Sequence, residues 1–324
     1  MSYISGLVQK QQTFLSSGTF TPSAAHLAAG GWVNLFMVGG GGGGSNGYLT
    51  SVGGGGGSVI SNFIVQLSGT CTVTIGAGGA GGAQSVVFTS LTPGSAGGQS
   101  RLYLASALTT LGVAITSTTA TTFTATSGAA ITNGSVILID SEEMLVTGIA
   151  TNVVTVTRGY RNTVAATHLI STSIYASYLT ALGGAGGSST APYGASGGTI
   201  SSAPGSYSSA TGSGGGGGGA GGVPTTIYVL QTTSSNTYFP TLWSGGPGLY
   251  GYGAGGSQNG YPVTYSNVFI PAQNGVAAPN KASANQPAST ANTGAGGTAG
   301  YGDGTVCYAG GTGGSGICII TYSE

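Results

Sequence analysis

Charge is what this chain most conspicuously lacks. Only ten of its 324 residues are Asp, Glu, Lys or Arg, and they cancel to a net charge of zero. Without self-repelling charge the chain is not a typical disordered polymer. Without a basic cluster it has no footprint for a phosphate backbone, which excludes nucleic acid as a primary partner. Long apolar runs are missing too. None approaches the roughly 20 residues that span a bilayer, and Met1-Ser2-Tyr3-Ile4-Ser5 offers neither a basic nor an apolar leader region. The expectation is a protein without membrane insertion, made and folded in a cytoplasm. Its three cysteines, Cys71, Cys307 and Cys318, are an odd number with no metal-like spacing, so buried free thiols are expected rather than a disulfide framework. Helical stripes are absent as well. The apolar residues, 40 % of the chain, fall in short Val/Ile/Phe/Tyr runs, which predicts an all-β fold.

Glycine is what the chain has instead, at 67 residues. The apolar run Trp32-Val33-Asn34-Leu35-Phe36-Met37-Val38 leads straight into the pure-glycine stretch 39–44, and a second stretch follows at 53–57. Glycine loses more backbone entropy on folding than any other residue and buries no side chain. Such tracts are therefore either floppy linkers or a close-packed backbone device. Their period separates the two. Leu182, Ala185 and Ser188 are spaced by glycine pairs, as are Ala309, Thr312 and Ser315, and Ala77, Ala80 and Ala83 recur at the same interval. Three residues is the period of the extended left-handed polyglycine helix, in which Gly-Gly-X places every X on one edge and leaves two edges bare. Bare edges let backbones approach and hydrogen-bond to one another. The expected architecture is thus a bundle of polyglycine II helices on a β-sandwich base, with the pure tracts 39–44 and 214–219 inside and the Gly-Gly-X tracts at the rim.

Along the chain, residues 1–31 read as an N-terminal attachment segment that either pairs with a partner or opens the first sheet. Strands are expected at 59–60, 63–67 and 71–75, the last two joined as a hairpin by Ser68-Gly69-Thr70. Residues 112–176 form a small inserted β domain. Glycine there drops to five residues in 112–175, while Asp140, Glu142, Glu143, Arg158 and Arg161 supply half of the chain's charges. Its strands are expected at 122–126, 135–139, 143–147 and 152–157. The glycine-rich domain is accordingly discontinuous, 32–111 and 177–324, and its final run Ile317-Cys318-Ile319-Ile320-Thr321-Tyr322 is expected to pair back into the first sheet.

Thr72-Val73-Thr74-Ile75-Gly76-Ala77-Gly78-Gly79-Ala80-Gly81-Gly82 and the ending Gly313-Gly314-Ser315-Gly316-Ile317-Cys318-Ile319-Ile320-Thr321-Tyr322 resemble the glycine-rich domains of bacteriophage tail-fibre and receptor-binding proteins. The insert, with Ile139-Asp140-Ser141-Glu142-Glu143-Met144 and Arg158-Gly159-Tyr160-Arg161-Asn162-Thr163, is similar to small β modules of phage tail and fibre proteins. This resemblance implies a virion structural protein, a tail-fibre or tail-tip adhesin. Its polyglycine scaffold would hold loops against a bacterial surface glycan or outer-membrane protein, and residues 1–31 would bind other virion proteins. A homotrimer is expected, since fibres usually trimerise. A capsid decoration or head-fibre protein is the alternative, and a surface-glycan depolymerase a third reading that requires paired carboxylates in a groove.

Tyr238, Trp243, Tyr250, Tyr252 and Tyr261, in a stretch rich in Ser, Gly and Asn, give broad contact area of low conformational entropy, the composition of binding loops. Together with Tyr48, in the tip between the first two glycine stretches, they are the receptor-binding candidates. Asp140, Glu142 and Glu143 invite a metal or paired-carboxylate reading, but strand alternation puts Glu143 on the opposite face from the other two, and ion pairing with Arg158 and Arg161 at the surface is expected. His26 and His168 have no second ligand at a metal spacing, and no glycine tract leads into the Lys-Ser or Lys-Thr of a phosphate loop. No catalytic residue, metal or cofactor is expected.

Overall fold

The computed structural model describes residues 8–46, 53–86, 92–187, 288–297, 300 and 306–323. They are mostly β-sheet with almost no helix, in keeping with the all-β expectation. The strands are β1 (Gln9–Phe14), β2 (Gly18–Phe20), β3 (Trp32–Val38), β4 (Val59–Gln66), β5 (Cys71–Thr74), β6 (Ser100–Leu104), β7 (Thr109–Thr110), β8 (Thr122–Thr124), β9 (Val136–Ile139), β10 (Glu142–Ala150), β11 (Val153–Thr157), β12 (Ser173–Ala181) and β13 (Ile317–Ser323). A five-residue helix, α1 (Ala24–Ala28), is capped by Ser23, whose Oγ accepts from the His26 N–H at 3.1 Å.

Two sheets form. One runs β1-β13-β3-β4 and the other β2-β5-β6-β12-β9-β10-β11-β8, with β7 beside β12. Val33, Leu35 and Met37 of β3 alternate inward, and they share one core with Phe14, Ile60, Cys318 and Ile320 of the first sheet and Phe20, Cys71, Val73, Leu102 and Leu179 of the second. The last strand returns to the first as expected, Ile317 opposite Val38 through Tyr322 opposite Val33. All three cysteines are free and buried. Within residues 9–31, β1 joins one sheet and β2 the other, with Phe14 and Phe20 buried and β1 as an outer strand.

The expected hairpin between 63–67 and 71–75 does not form. β4 pairs with β3 alone, whereas β5 pairs with β2 and β6 in the other sheet. Ser68-Gly69-Thr70 carries the chain from one sheet to the other because Leu67 and Cys71, on either side of it, both drop into the shared core.

The insert has its own core of Leu111, Phe123, Ile137, Ile139, Met144, Val146, Val154, Val156 and Ile174. It is joined to the base through β12, whose Ile174, Tyr175 and Ala176 face β9 while Ser177, Leu179, Thr180 and Ala181 face β6 across a register shift.

Beyond Val38 the strand gives way to glycine, and the hydrogen bonds change period. The Gly39 and Gly42 N–H groups donate to Ser58 and Gly55, Gly40 and Gly43 donate to Gly98 and Ser95, and Gly41 and Gly44 donate to Gly314 and Gly311, all at 2.8–3.0 Å. Each pair steps by three residues, and in each the partner number falls, so these three neighbours run antiparallel. The carbonyls work the other way. Those of Gly40 and Gly43 accept from Gly184 and Gly187, Gly41 and Gly44 from Gly79 and Gly82, and Gly42 and Ser45 from Gly297 and Gly300. These three neighbours run parallel. Residues 39–44 are all buried, and in the 76–83 tract Gly76, Gly79 and Gly82 are buried while Ala77, Ala80 and Ala83 are exposed.

Candidate functional site

The receptor-binding candidates lie outside the described residues: Tyr48 within 47–52, and Tyr238, Trp243, Tyr250, Tyr252 and Tyr261 within 188–287. The second pure tract, 214–219, lies outside them as well. The ends from which those segments depart are described. The chain leaves the sheets along 39–46, 76–86 and 183–187 and runs in the same direction along 294–297 to 300, and it returns along 53–58, 92–98 and 306–316. Four departures therefore lie at the end of the glycine tracts remote from β3.

That end is tied together by polar groups. The Asn46 backbone N–H donates to the Thr92 carbonyl at 3.1 Å, while its side chain accepts from the Thr92 N–H at 2.8 Å and donates to the Ala83 carbonyl at 2.9 Å. Asn46 thus clamps both sides of the connection between 83 and 92. Ser85 and Cys307 exchange N–H to carbonyl bonds of 2.9 and 2.8 Å, and the Gly300 N–H reaches Ser45. Asn46 is fully buried, so it closes the end of the tracts and is not part of an exposed tip.

The densest cluster of ionisable groups lies in the insert. Asp140 and Ser141 make the two-residue turn between β9 and β10, with Asp140 at φ +51° and Ile139 opposite Glu142. Glu142 and Glu143 follow one another on β10 and bond to separate sets of partners, and both are fully buried because the strand is covered on each side, in place of the surface ion pairs expected. Arg158 grips Glu142 in a fork, Nε to Oε1 and Nη2 to Oε2, each 2.7 Å. The N–H groups of Gly159 (3.0 Å) and Ala166 (2.9 Å) add to it. His168 bridges two carboxylates, Nε2 at 2.9 Å from Glu142 Oε2 and Nδ1 at 2.8 Å from Asp140 Oδ2. Burial alone would raise the Glu142 carboxyl, but the bonds from Arg158, Ala166, His168 and Gly159 hold it down to about 2.

Both Glu142 oxygens are saturated by the chain's own donors. Arg158 in turn donates to the carbonyls of Ser117 and Ala120 at 3.1 Å and of Ala166 at 2.5 Å, so the pair pins the loop before β8 and the loop after β11 to the start of β10. Glu143 accepts from the hydroxyls of Ser177 and, at 2.7 Å, Thr180 on β12. Arg161 Nη1 lies 3.5 Å from its Oε1, near enough for Coulomb attraction but not aligned as a hydrogen bond. Among the described residues no group of three His, Cys, Asp or Glu is arranged to hold a metal. His26 is buried as well, with Nδ1 3.0 Å from the Ser323 carbonyl and its ring edge-on to Tyr322.

The sequence reading missed the burial of Glu142 and Glu143. Their signal was present: two glutamates between Val136-Ile137-Leu138-Ile139 and Met144-Leu145-Val146, in a chain with scarcely any other charge.

A family profile described as a glycine-rich domain matches residues 15–139. The match covers under half of the 324 residues, beginning just after β1 and ending with β9 inside the insert. No curated protein matches the chain. Within the matched stretch fall β3 and four of the glycine tracts, 39–44, 53–57, 76–82 and 94–98.

Proposed function

We propose that this chain is a bacteriophage virion structural protein, a tail-fibre or tail-tip adhesin that recognises the bacterial host surface by binding without chemistry. In this reading the two sheets are a β-sandwich base, and the glycine tracts are polyglycine II helices bundled on it. Residues 1–31 face other virion proteins through their outer strand β1, and the chain assembles as a trimer. The observation that carries the proposal is the environment of residues 39–44. Hydrogen bonds recur every three residues to six surrounding tracts, and the connections, of which 188–287 is the longest, depart from the end away from the base. A side-chain-free rod held this way is rigid, uncharged and indifferent to ionic strength, since its bonds are backbone dipoles and not ion pairs. It suits a scaffold that presents variable segments outside a cell.

The partners are a surface glycan or an outer-membrane protein, contacted by Tyr48 and by Tyr238, Trp243, Tyr250, Tyr252 and Tyr261. Purified chain added before infection is expected to compete with virions for host adsorption, and the double substitution Trp243→Ala with Tyr250→Ala to abolish that competition. Immunogold labelling then places the protein on the tail. Label on the capsid would favour a decoration protein, and undiminished competition by the double variant would remove the loop mechanism.

A further inference from the structure

We infer that a neutral saccharide ring binds in a concavity at the sheet end remote from the glycine tracts, beside Trp32. The inference rests on the adhesion reading only for the source of the sugar, taken to be the host surface glycan. Trp32 opens β3, and its indole is 56 % exposed. The ring lies against Gly30, where φ is +107° and a Cβ would come within 3.1 Å of Cδ1 and 3.3 Å of Nε1. Gly30 also lines, with Leu27, Gln66, Leu67 and Ser68, a concavity of about 370 Å³, a volume at the small end for ligand sites.

The lining is fixed from several directions. Gln66 is the cross-strand partner of Trp32, and both side chains are exposed. The Leu67 N–H donates to the Gly31 carbonyl at 2.9 Å, holding the exit of α1 against the end of β4. Ser68 shares a 2.9 Å hydroxyl contact with Tyr178 from the other sheet, and its N–H donates to the same oxygen at 3.3 Å.

None of these residues carries a charge, so an ionic ligand finds no counter-ion. A pyranose matches what is there. Its C–H face suits an indole and the half-buried Leu27, and its hydroxyls suit an amide that both donates and accepts and a pair of positioned hydroxyls. An extended proline-rich peptide, which also favours Trp, needs a long groove, whereas this is a short pit.

The test is isothermal titration calorimetry of the full chain with oligosaccharides released by mild acid from host envelope polysaccharide. Saturable binding is expected, weakened about tenfold or more by Trp32→Ala and about threefold by Gln66→Leu, with thermal unfolding unchanged because both positions are exposed. Trp32→Phe keeps an aromatic face and is expected to retain most of the affinity. Unchanged affinity in both Trp32→Ala and Gln66→Leu overturns the site, as does wild-type chain that binds no sugar or binds a proline-rich peptide there instead. Adsorption competition reports separately. If Trp32→Ala destroys sugar binding while the wild-type chain fails to compete with virions, the site stands and the adhesion reading falls. If the chain competes and Trp32→Ala binds sugar like wild type, the adhesion reading stands and the site falls.

Discussion

At Gly41 and Gly43 a single methyl group decides whether neighbouring backbones can meet. A Cβ at Gly41 would overlap the Ala295 carbonyl, and one at Gly43 the Ala80 carbonyl. The obstacle is backbone on both sides, so it cannot be relieved by turning a side chain. Gly41→Ala and Gly43→Ala are each expected to destabilise by about 3 kcal/mol or more, among the largest effects of single substitutions. Ala80→Ser, on the exposed edge of its tract, should stay within about 0.5 kcal/mol. Chemical denaturation of the three variants measures the contrast. Glu142 makes the second prediction at this scale. Its carboxyl is held at about 2, below the ordinary carboxylate value of roughly 4.3, so the folded state favours the ionised form. Its contribution is present in full above the ordinary value and is lost as pH falls from there towards 2. Glu142→Gln should therefore flatten the acid limb of the stability curve. At neutral pH it leaves Arg158 buried without its counter-ion, at a cost of about 3–5 kcal/mol. Residue types alone hid this pair, because strand alternation leads one to expect a buried and an exposed glutamate, whereas β10 is covered on both sides, by Arg158 and His168 against Glu142 and by the β12 hydroxyls against Glu143.

Among the elements, β3, β9, β11 and β13 were legible from their apolar and β-branched runs, and the match of β13 to β3 followed from like composition. What the sequence could not show was which layer each strand joins. β4 and β5 are separated by a turn-like Ser68-Gly69-Thr70, and a turn that reverses a hairpin reads the same as one that crosses between sheets. The choice is made by Leu67 and Cys71 entering a core that only the assembled sheets create. The glycine tracts were legible by their three-residue spacing, but their order around 39–44 was not, since a tract without side chains carries no signal of its neighbours. Asn46 is the polar residue that closes this element. Asn46→Ala removes its side-chain bonds to Thr92 and Ala83 and should cost about 1–3 kcal/mol, with hydrogen exchange accelerated locally at Thr92 and at the Ser85–Cys307 bridge.

On the scale of the whole molecule, the described residues hold two large apolar cores, a small third cluster of Val38, Val59 and Ile317, and one glycine device, joined through few strands. β12 serves both cores, and Glu143 on the insert side accepts from Ser177 and Thr180 on that strand. The glycine tracts are continuous with the base, because β3 runs into 39–46 and 306–316 runs into β13. The scaffold should therefore unfold with the base and not before it. The most direct measurement is hydrogen–deuterium exchange of peptides covering residues 39–44. A packed rod with every one of these amides bonded predicts protection comparable to that of β3, at least about a thousandfold slower than free exchange. Exchange of those glycines within seconds, while β3 stays protected, would make the tracts linkers and contradict the account.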